Sequence, residues 1–205
     1  MGVFRKRRRN IMKENLVQLL FAFDYALIPP GHAEEAIKAL RTFASSLKKT
    51  EKEIRVSGIS FCDGAEIKIV NQPIEKVSLS KLGASAKVNG ACSMLDKTSK
   101  LMDDVGIRLT NTPEDERPSR VILTILVFGR DNASKNCTYE RLKEMIALQR
   151  DVYNWKFFLI TDFSINMEKL GISEDDTIIL KHIEGDWFKE PFRELSDKIA
   201  SLFGD

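Results

Sequence analysis

The sequence predicts an α/β fold in which a mostly parallel central sheet is flanked by helices on both faces, and a segment in the second half of the chain carries much of this prediction. Residues 121–128 (VILTILVF) form a continuous apolar, β-branched run, which is typical of a strand buried on both faces of a parallel sheet. Thr138 is suited to cap the helix that follows, and residues 155–161 (WKFFLIT) begin a second apolar strand. Strand, helix and strand in this order predict two parallel strands joined by a right-handed crossover.

The first half of the chain adds three strands and two helices. A buried-strand run ends at Asp24, and two later strands are close enough in sequence to form a hairpin about Gly64. The predicted elements, in chain order, are a strand at 16–23, a helix beginning near Ala33, strands at 54–61 and 66–70, an irregular connection at 71–88 and a helix at 93–109.

The last part of the chain completes the domain. A short helix at 167–170 is closed by Gly171, a strand follows at 177–180, and a C-terminal helix spans 191–203 with Pro191 at its first position. We find no internal repeat. The sequence therefore predicts a single Rossmann-like α/β domain over residues 13–205, preceded by a basic disordered arm at residues 1–12.

Composition agrees with one globular domain. The chain has 205 residues, of which 43% are hydrophobic and 30% charged. No apolar run approaches the roughly 20 residues of a transmembrane helix. The three cysteines, Cys62, Cys92 and Cys137, show neither CxxC nor metal-ligand spacing, as expected in a reducing compartment. We expect a cytoplasmic protein.

The N-terminal arm contains five consecutive basic residues, Arg5, Lys6, Arg7, Arg8 and Arg9. Without them the chain has 27 basic against 30 acidic residues, so the arm carries the positive sign. Such a run can bind nucleic acid or an anionic membrane through its charge. A single run without interleaved aromatic residues is more typical of a solvated tail.

Two segments carry a resemblance to a known family. TPEDERPSRVILTILVFGRDNAS and TYERLKEMIALQRDVYNWKF resemble the von Willebrand factor A-type (VWA) domains of bacterial stand-alone cytoplasmic proteins. Those domains read TPEEERP, an apolar strand ending in T-D-G, a polar loop and TYE..KEMI..Q...Y.W.F. A weaker likeness, in register, continues at residues 61–63 (FCD) and 90–96 (GACSMLD), and the whole covers residues 13–170.

The resemblance implies a metal-ion-dependent adhesion site (MIDAS), and this sequence departs from its motif. The family has Asp-x-Ser-x-Ser after the first strand, a Thr before the second long helix and an Asp ending the central strand. Asp24 matches the first aspartate, but Ala26 and Ile28 replace the serines, Cys92 the threonine and Phe128 the second aspartate. Mg²⁺ requires hard oxygen donors, which a thiol and hydrocarbon side chains do not supply. We therefore expect a degenerate site that binds no metal, and no other cofactor.

Other catalytic patterns are weak. His32 and His182 lack a cysteine or carboxylate at a recognisable catalytic spacing, and the glycines form neither a P-loop nor GxGxxG. In a receiver domain, Asp24 would be the phosphorylated aspartate, and Lys181 would be the lysine that such domains have at the end of a late strand. That interpretation is disfavoured because bulky Tyr25 and Phe128 occupy the neighbouring places.

The sequence thus favours a non-enzymatic protein-binding adaptor, and the resemblance implies a stress-response or tellurite-resistance-like context. The expected contact surface is the rim, meaning the edge where the parallel strands end at their carboxyl side. Its candidate residues are Asp24, Tyr25, Cys92, Phe128, Arg130 and Asp131. Two alternatives stay open: a Mg²⁺-dependent VWA protein whose site is completed by Asp63 or Asp131, and a polyanion- or membrane-associated accessory protein using the basic arm.

Overall fold

A computed structural model of the protein describes residues 12–24, 32–62, 65–78, 91–162, 167–181 and 187–204. Residues 1–11 of the basic arm and Gly64 lie outside these residues. Six strands of the described chain form one sheet in the order β3-β2-β1-β4-β5-β6. The strands are β1 Lys13–Asp24, β2 Glu53–Cys62, β3 Ala65–Pro73, β4 Pro118–Val127, β5 Lys156–Thr161 and β6 Thr177–Ile179.

All neighbouring strands are parallel except β2 and β3, which pair antiparallel. The predicted mostly parallel sheet, with β4 in its middle, is therefore confirmed. The long helices of the described chain are α1 Ala33–Leu47, α2 Met94–Thr110, α3 Tyr139–Tyr153 and α4 Lys189–Ser201. None of the described helices is long and apolar enough to cross a membrane.

Helices cover both faces of the sheet, because side chains alternate between its two faces along each strand. One core contains the aromatic side chains of β1, α1 and α4: Phe21 and Phe43 meet edge to face at 5.8 Å between ring centroids, and Phe23 meets Phe192 at 6.3 Å. The other core packs the opposite face of the sheet against α2 and α3, with Ile125 fully buried within it.

The β-α-β unit forms as the sequence predicts. The side-chain oxygen of Thr138 accepts a hydrogen bond from the Arg141 backbone N–H at 3.2 Å, which satisfies one of the free donors of the first turn of α3. Asn154 closes the helix in a left-handed conformation with φ 56°. The chain then enters β5 parallel to β4, with Ile122 opposite Lys156.

The C-terminal helix and the connection after β3 differ from the prediction by more than a residue. The C-terminal helix begins at Lys189 and ends at Ser201, so Pro191 is its third residue and not its first. A proline is tolerated there because the backbone N–H groups of the first turn have no acceptor within the helix. At the start of the connection predicted at 71–88, β3 continues to Pro73 and a 3₁₀ turn, Ile74–Lys76, follows.

The outer strand β3 contains a bulge at Asn71. The pairing of β2 with β3 shifts register between Val56 and Gly58, and Asn71 has a positive φ of 47°. The Asn71 N–H donates to the Ser57 hydroxyl at 3.0 Å, and the Arg55 guanidinium donates to the Asn71 carbonyl at 3.2 Å. These two hydrogen bonds hold Asn71 in its left-handed conformation, which differs from the extended backbone of the rest of β3.

Candidate functional site

The rim lies where β1 and β4 end and α2 begins. Asp24 is the last residue of β1, Phe128 follows the last residue of β4, and Cys92 precedes α2. Of the other residues proposed from sequence, Arg130 and Asp131 are in the loop after β4. Tyr25, Ala26, Ile28 and Asp63 lie outside the described residues.

Asp24 and Cys92 are brought together and are both completely buried. The Cys92 thiol donates a hydrogen bond to the Asp24 carboxylate. Burial is the main cause that raises the pKa of Cys92, and the negative charge of Asp24 and the hydrogen bond to it raise the pKa further. The thiol is therefore protonated at neutral pH, and it is neither a nucleophile nor a thiolate ligand in this state.

Phe128 is not in the same place as this pair. Its ring is 2% exposed and belongs to the core beneath α1 and α4, where it packs against Phe188 with 5.6 Å between ring centroids. Cys92 belongs to the core on the opposite face, beneath α2 and α3. The side chains at two of the implied metal positions thus face opposite sides of the sheet.

The loop from residue 129 to residue 138 is bound to the start of α2. Asp131 accepts a hydrogen bond from the Leu95 backbone N–H at 2.8 Å and from the Ser134 hydroxyl at 2.7 Å. The Ser134 hydroxyl oxygen in turn accepts from the Asp96 backbone N–H at 3.0 Å. Ser93 is the N-cap of α2 but makes no side-chain cap, so Asp131 and Ser134 cap this helix from another part of the chain.

The same loop is joined to Cys92 by its backbone. The Asn132 side-chain oxygen accepts from the Cys92 N–H at 2.8 Å, while the Cys92 carbonyl accepts from the N–H groups of Asn132 and Ala133 at 3.1 and 2.8 Å. This reciprocal pairing fixes the segment before α2 against the segment after β4. The rim is therefore held in one conformation by hydrogen bonds between two distant stretches of sequence.

Asp96 binds the far end of the loop. Its carboxylate accepts from the backbone N–H groups of Lys135, Asn136 and Cys137 at 2.9, 2.9 and 2.7 Å. Burial is the largest single influence and acts to raise the pKa of Asp96. The hydrogen bonds together outweigh it, and the pKa is lowered from the ordinary value of 3.8.

Sequence reasoning missed Asp96 and Ser134, and it predicted Asn132 only as one of the polar residues of an exposed loop. A signal for one of them is present, because Ser93 and Asp96 have the S-x-x-D spacing of a capping box at a helix start. The structure uses Asp96 differently, since its carboxylate binds the loop after β4. The histidines give no site in the described chain: His32 hydrogen-bonds Glu35 at 2.9 Å and stacks on Trp187, and His182 lies outside the described residues.

The surface that a partner can reach is formed by the loop. Arg130, Asn132, Lys135 and Asn136 are exposed, whereas Asp24, Cys92 and Phe128 are buried in this arrangement. The described chain holds no group of three or more His, Cys, Asp and Glu side chains placed to hold a metal ion. The described residues at the implied metal positions offer one carboxylate, one protonated thiol and one phenyl ring, a donor set that does not fit Mg²⁺.

The sheet order, the helices on both faces and the arrangement of the rim define a VWA-like fold. No family model matches the sequence, and no curated protein matches it. The fold is instead similar to that of several solved structures. Because their sequence identities to this chain are low, the similarity concerns the fold alone.

Three of these structures illustrate the likeness. Proximal thread matrix protein 1 of the mussel byssus is 9% identical, with a TM-score of 0.56 over 94% of this chain and 46% of its own. The manganese-loaded TRAP protein of Plasmodium vivax is 14% identical, with a TM-score of 0.53 over 89% and 72%. The pilus adhesin SpaC of Lactobacillus rhamnosus GG is 8% identical, with a TM-score of 0.59 over 93% and 30%. The chain thus spans less than half of the mussel and Lactobacillus proteins.

Proposed function

We propose that this protein is a non-enzymatic, cytoplasmic adaptor of the VWA type that binds another protein at the rim without a metal ion. The observation that carries the proposal is the hydrogen bond from Cys92 to Asp24. This bond places a proton donor of the same chain against the carboxylate that would be the first metal ligand, and both residues are fully buried.

The inward position of Phe128 supports the same conclusion. A VWA metal site needs a second carboxylate at the end of the central strand, and here an aromatic ring packs into the core beneath α4. Full burial of such a ring contributes about 1.5–3 kcal/mol to stability, which favours the packed ring over an open rim. The side chain at this position is therefore part of the core and offers no oxygen donor at the rim.

The loop supplies the contact surface. Its backbone is held by Asp96, Asp131 and Asn132, so its outward side chains are presented in a fixed arrangement. Arg130 and Lys135 are exposed there. Because the loop is already held in place, a partner can bind without the entropic cost of ordering it. Arginine is also enriched in protein interfaces. We infer that the partner presents acidic or hydrogen-bonding groups to these two cations.

Affinity capture with the tagged full chain tests this function. Partners recovered from its source cells in the presence of EDTA are compared between the unmodified protein and Arg130→Glu/Lys135→Glu. We expect at least one protein to be recovered with EDTA present and to be lost with the double charge reversal. The matched control is Lys38→Glu/Arg41→Glu, which reverses two exposed charges on α1 and should leave the recovery unchanged.

The same experiment distinguishes the metal-dependent alternative. The mussel protein has been solved with a zinc-occupied MIDAS motif and the Plasmodium protein loaded with manganese, so the fold itself permits a metal. Recovery of a partner that requires Mg²⁺ or Mn²⁺, and that EDTA and Asp24→Ala each abolish, would contradict our proposal and support that alternative.

A further inference from the structure

A cavity of about 510 Å³ lies at the amino ends of the strands, on the opposite side of the sheet from the rim, where the strands have their carboxyl ends. It is formed at the amino ends of β4 and β5, where β4 begins four residues before the pairing with β5 does. Its volume falls within the range of about 300–1,000 Å³ that is usual for small-molecule sites in proteins. Nothing in the rim or its proposed function involves this cavity.

Three cations line the cavity. Arg120 comes from β4, Arg150 from the last turn of α3, and Lys156 is the first residue of β5. Among the described residues that line it, the only carboxylate is that of Asp176, and this group pairs with Lys156 at 2.7 Å. The positive charge of the lining therefore exceeds the negative charge.

Two of the three cations are already satisfied. Lys156 has Asp176, and the Arg150 guanidinium donates to the Gly171 carbonyl at 2.8 Å and to Asp151 at 2.9 Å. Arg120 differs, because no hydrogen bond or ion pair joins its guanidinium to any residue that the structure describes. Arg120 is also partly buried.

Arg120 keeps part of its exposure to solvent, so its guanidinium N–H donors are accessible to an acceptor that enters the cavity. Its planar fork of N–H donors matches the two oxygens of a carboxylate or a phosphate group. The lining is part polar and part apolar, and its apolar residues include Leu202, which is partly exposed and packs against the core that contains Ile122. Alternation along β4 assigns Arg120 to this same face, whereas Trp155, also in the lining, belongs to the core on the other face. A ligand that satisfies both parts of the cavity has an anionic head and an apolar or aromatic body.

We propose that this cavity binds a small organic anion whose oxyanion head group, a phosphate or a carboxylate, pairs with Arg120. The body of the ligand packs on the apolar part of the lining, at Leu202, and Trp155 lines the same cavity. Arg150 and Lys156 add positive potential but keep their present partners. The site is separate from the rim, so its occupancy does not depend on the adaptor function.

Trp155 allows a direct test, because the chain has only two tryptophans. Trp187→Phe leaves Trp155 as the single fluorophore, and it is a conservative change at the ring that stacks on His32. The full chain with this change is titrated with phenyl phosphate, benzoate and inorganic phosphate. We expect a saturable change in fluorescence with phenyl phosphate or benzoate, and weaker binding of inorganic phosphate. The two aromatic ligands show whether the site prefers phosphate or carboxylate.

Variants of Arg120 decide the role of its guanidinium. In the same background, Arg120→Met should weaken binding by about tenfold or more, since a charged hydrogen-bond pair is lost. Arg120→Lys should give an intermediate affinity because it keeps the charge and loses the fork, and it serves as the test if Arg120→Met fails to fold. Arg41→Met, an exposed arginine on α1, should leave binding unchanged.

Two outcomes would overturn the proposal. One is the absence of saturable binding of either aromatic anion up to about 10 mM, which corresponds to a negligible affinity. The other is binding that is equally strong in the folded Arg120→Met and Arg120→Lys variants, because the anion would then be held elsewhere. Melting curves of the same samples show which variants are folded.

Discussion

The thiol of Cys92 donates a hydrogen bond to the carboxylate of Asp24 at the point where β1 ends and α2 is about to begin. Both residues are fully buried. This hydrogen bond links the end of β1 to the segment just before α2. The protonation state of the thiol therefore affects stability, and it can be tested by pH.

Stability should fall as the pH rises above the ordinary thiol pKa of 9.0, because the folded state keeps the Cys92 proton that the unfolded state releases. The stabilising contribution is complete below that pH and is lost progressively above it. Urea unfolding at several pH values between neutral and alkaline measures this dependence. It should be smaller in Cys92→Ala and largely kept in Cys137→Ala, and equal slopes in all three proteins would refute the assignment to Cys92.

Magnesium and manganese should not stabilise the protein. Of the implied metal positions, the described residues provide only the Asp24 carboxylate as an oxygen donor, and the Cys92 thiol donates a hydrogen bond to that group. Melting temperatures in millimolar MgCl₂ or MnCl₂ are therefore expected to equal those in a salt control of the same ionic strength. Saturable binding by calorimetry that disappears on Asp24→Ala would show that residues outside the described part of the chain complete a site.

Replacing Phe128 should destabilise the fold. We expect Phe128→Ala to lower the free energy of unfolding by about 3–5 kcal/mol, as is usual for a large buried aromatic side chain. Phe128→Asp should cost at least as much, because it places a charge against Phe188, and so it should not by itself restore a metal site. Urea denaturation measures both. Tyr153→Ala is the control, because this ring is 62% exposed and its loss should have little effect.

Ile125 provides a matched test of the central strand. It is fully buried beneath α2 and α3, so Ile125→Ala should cost about 2–5 kcal/mol through lost burial and the cavity that remains. Ile107→Ala removes the same atoms from a residue that is 64% exposed, and it should change stability by less than about 0.5 kcal/mol. Similar melting temperatures for the two variants would mean that β4 is not packed as described.

Asp131 should contribute to the stability of the start of α2. Its removal in Asp131→Ala leaves the Leu95 N–H without its cap and is expected to cost about 1 kcal/mol, in the usual range of 0.5–2 kcal/mol. Amide hydrogen exchange should become faster at residues 94–96 and in the loop. Lys135→Ala is the control, because only the backbone of Lys135 contacts Asp96. Unchanged exchange in Asp131→Ala would argue against the cap.

The sequence was sufficient to predict the layers of the fold. The runs of β1, β4 and β5 are apolar on both faces, and Thr138 stands at the right distance before the stripe of α3, so both signals are local. The start of α4 was misplaced by two residues because Lys189 and Glu190 carry no apolar signal, and Pro191 is favoured at the first position of helices.

The arrangement of the rim could not be predicted in the same way. The hydrogen bonds that Asp131 and Asp96 make between the loop and the start of α2 join residues 36 to 41 positions apart, and no periodicity in the sequence relates them. The direction of Phe128 was accessible in principle. Alternation along β4 places it on the same face as Ile122 and Leu126, beneath α1 and α4.

The bulge at Asn71 has a consequence for how the molecule behaves at high concentration. β3 pairs with β2 over residues 65–69 and again at residues 72 and 73, with the break between them. A strand from another molecule that added to the outer side of β3 would meet this break and find no continuous row of backbone donors and acceptors. Interrupted edges of this kind are one way in which natural sheets avoid joining edge to edge. The longer of the two edges formed by the described strands is therefore protected against the growth of an intermolecular sheet.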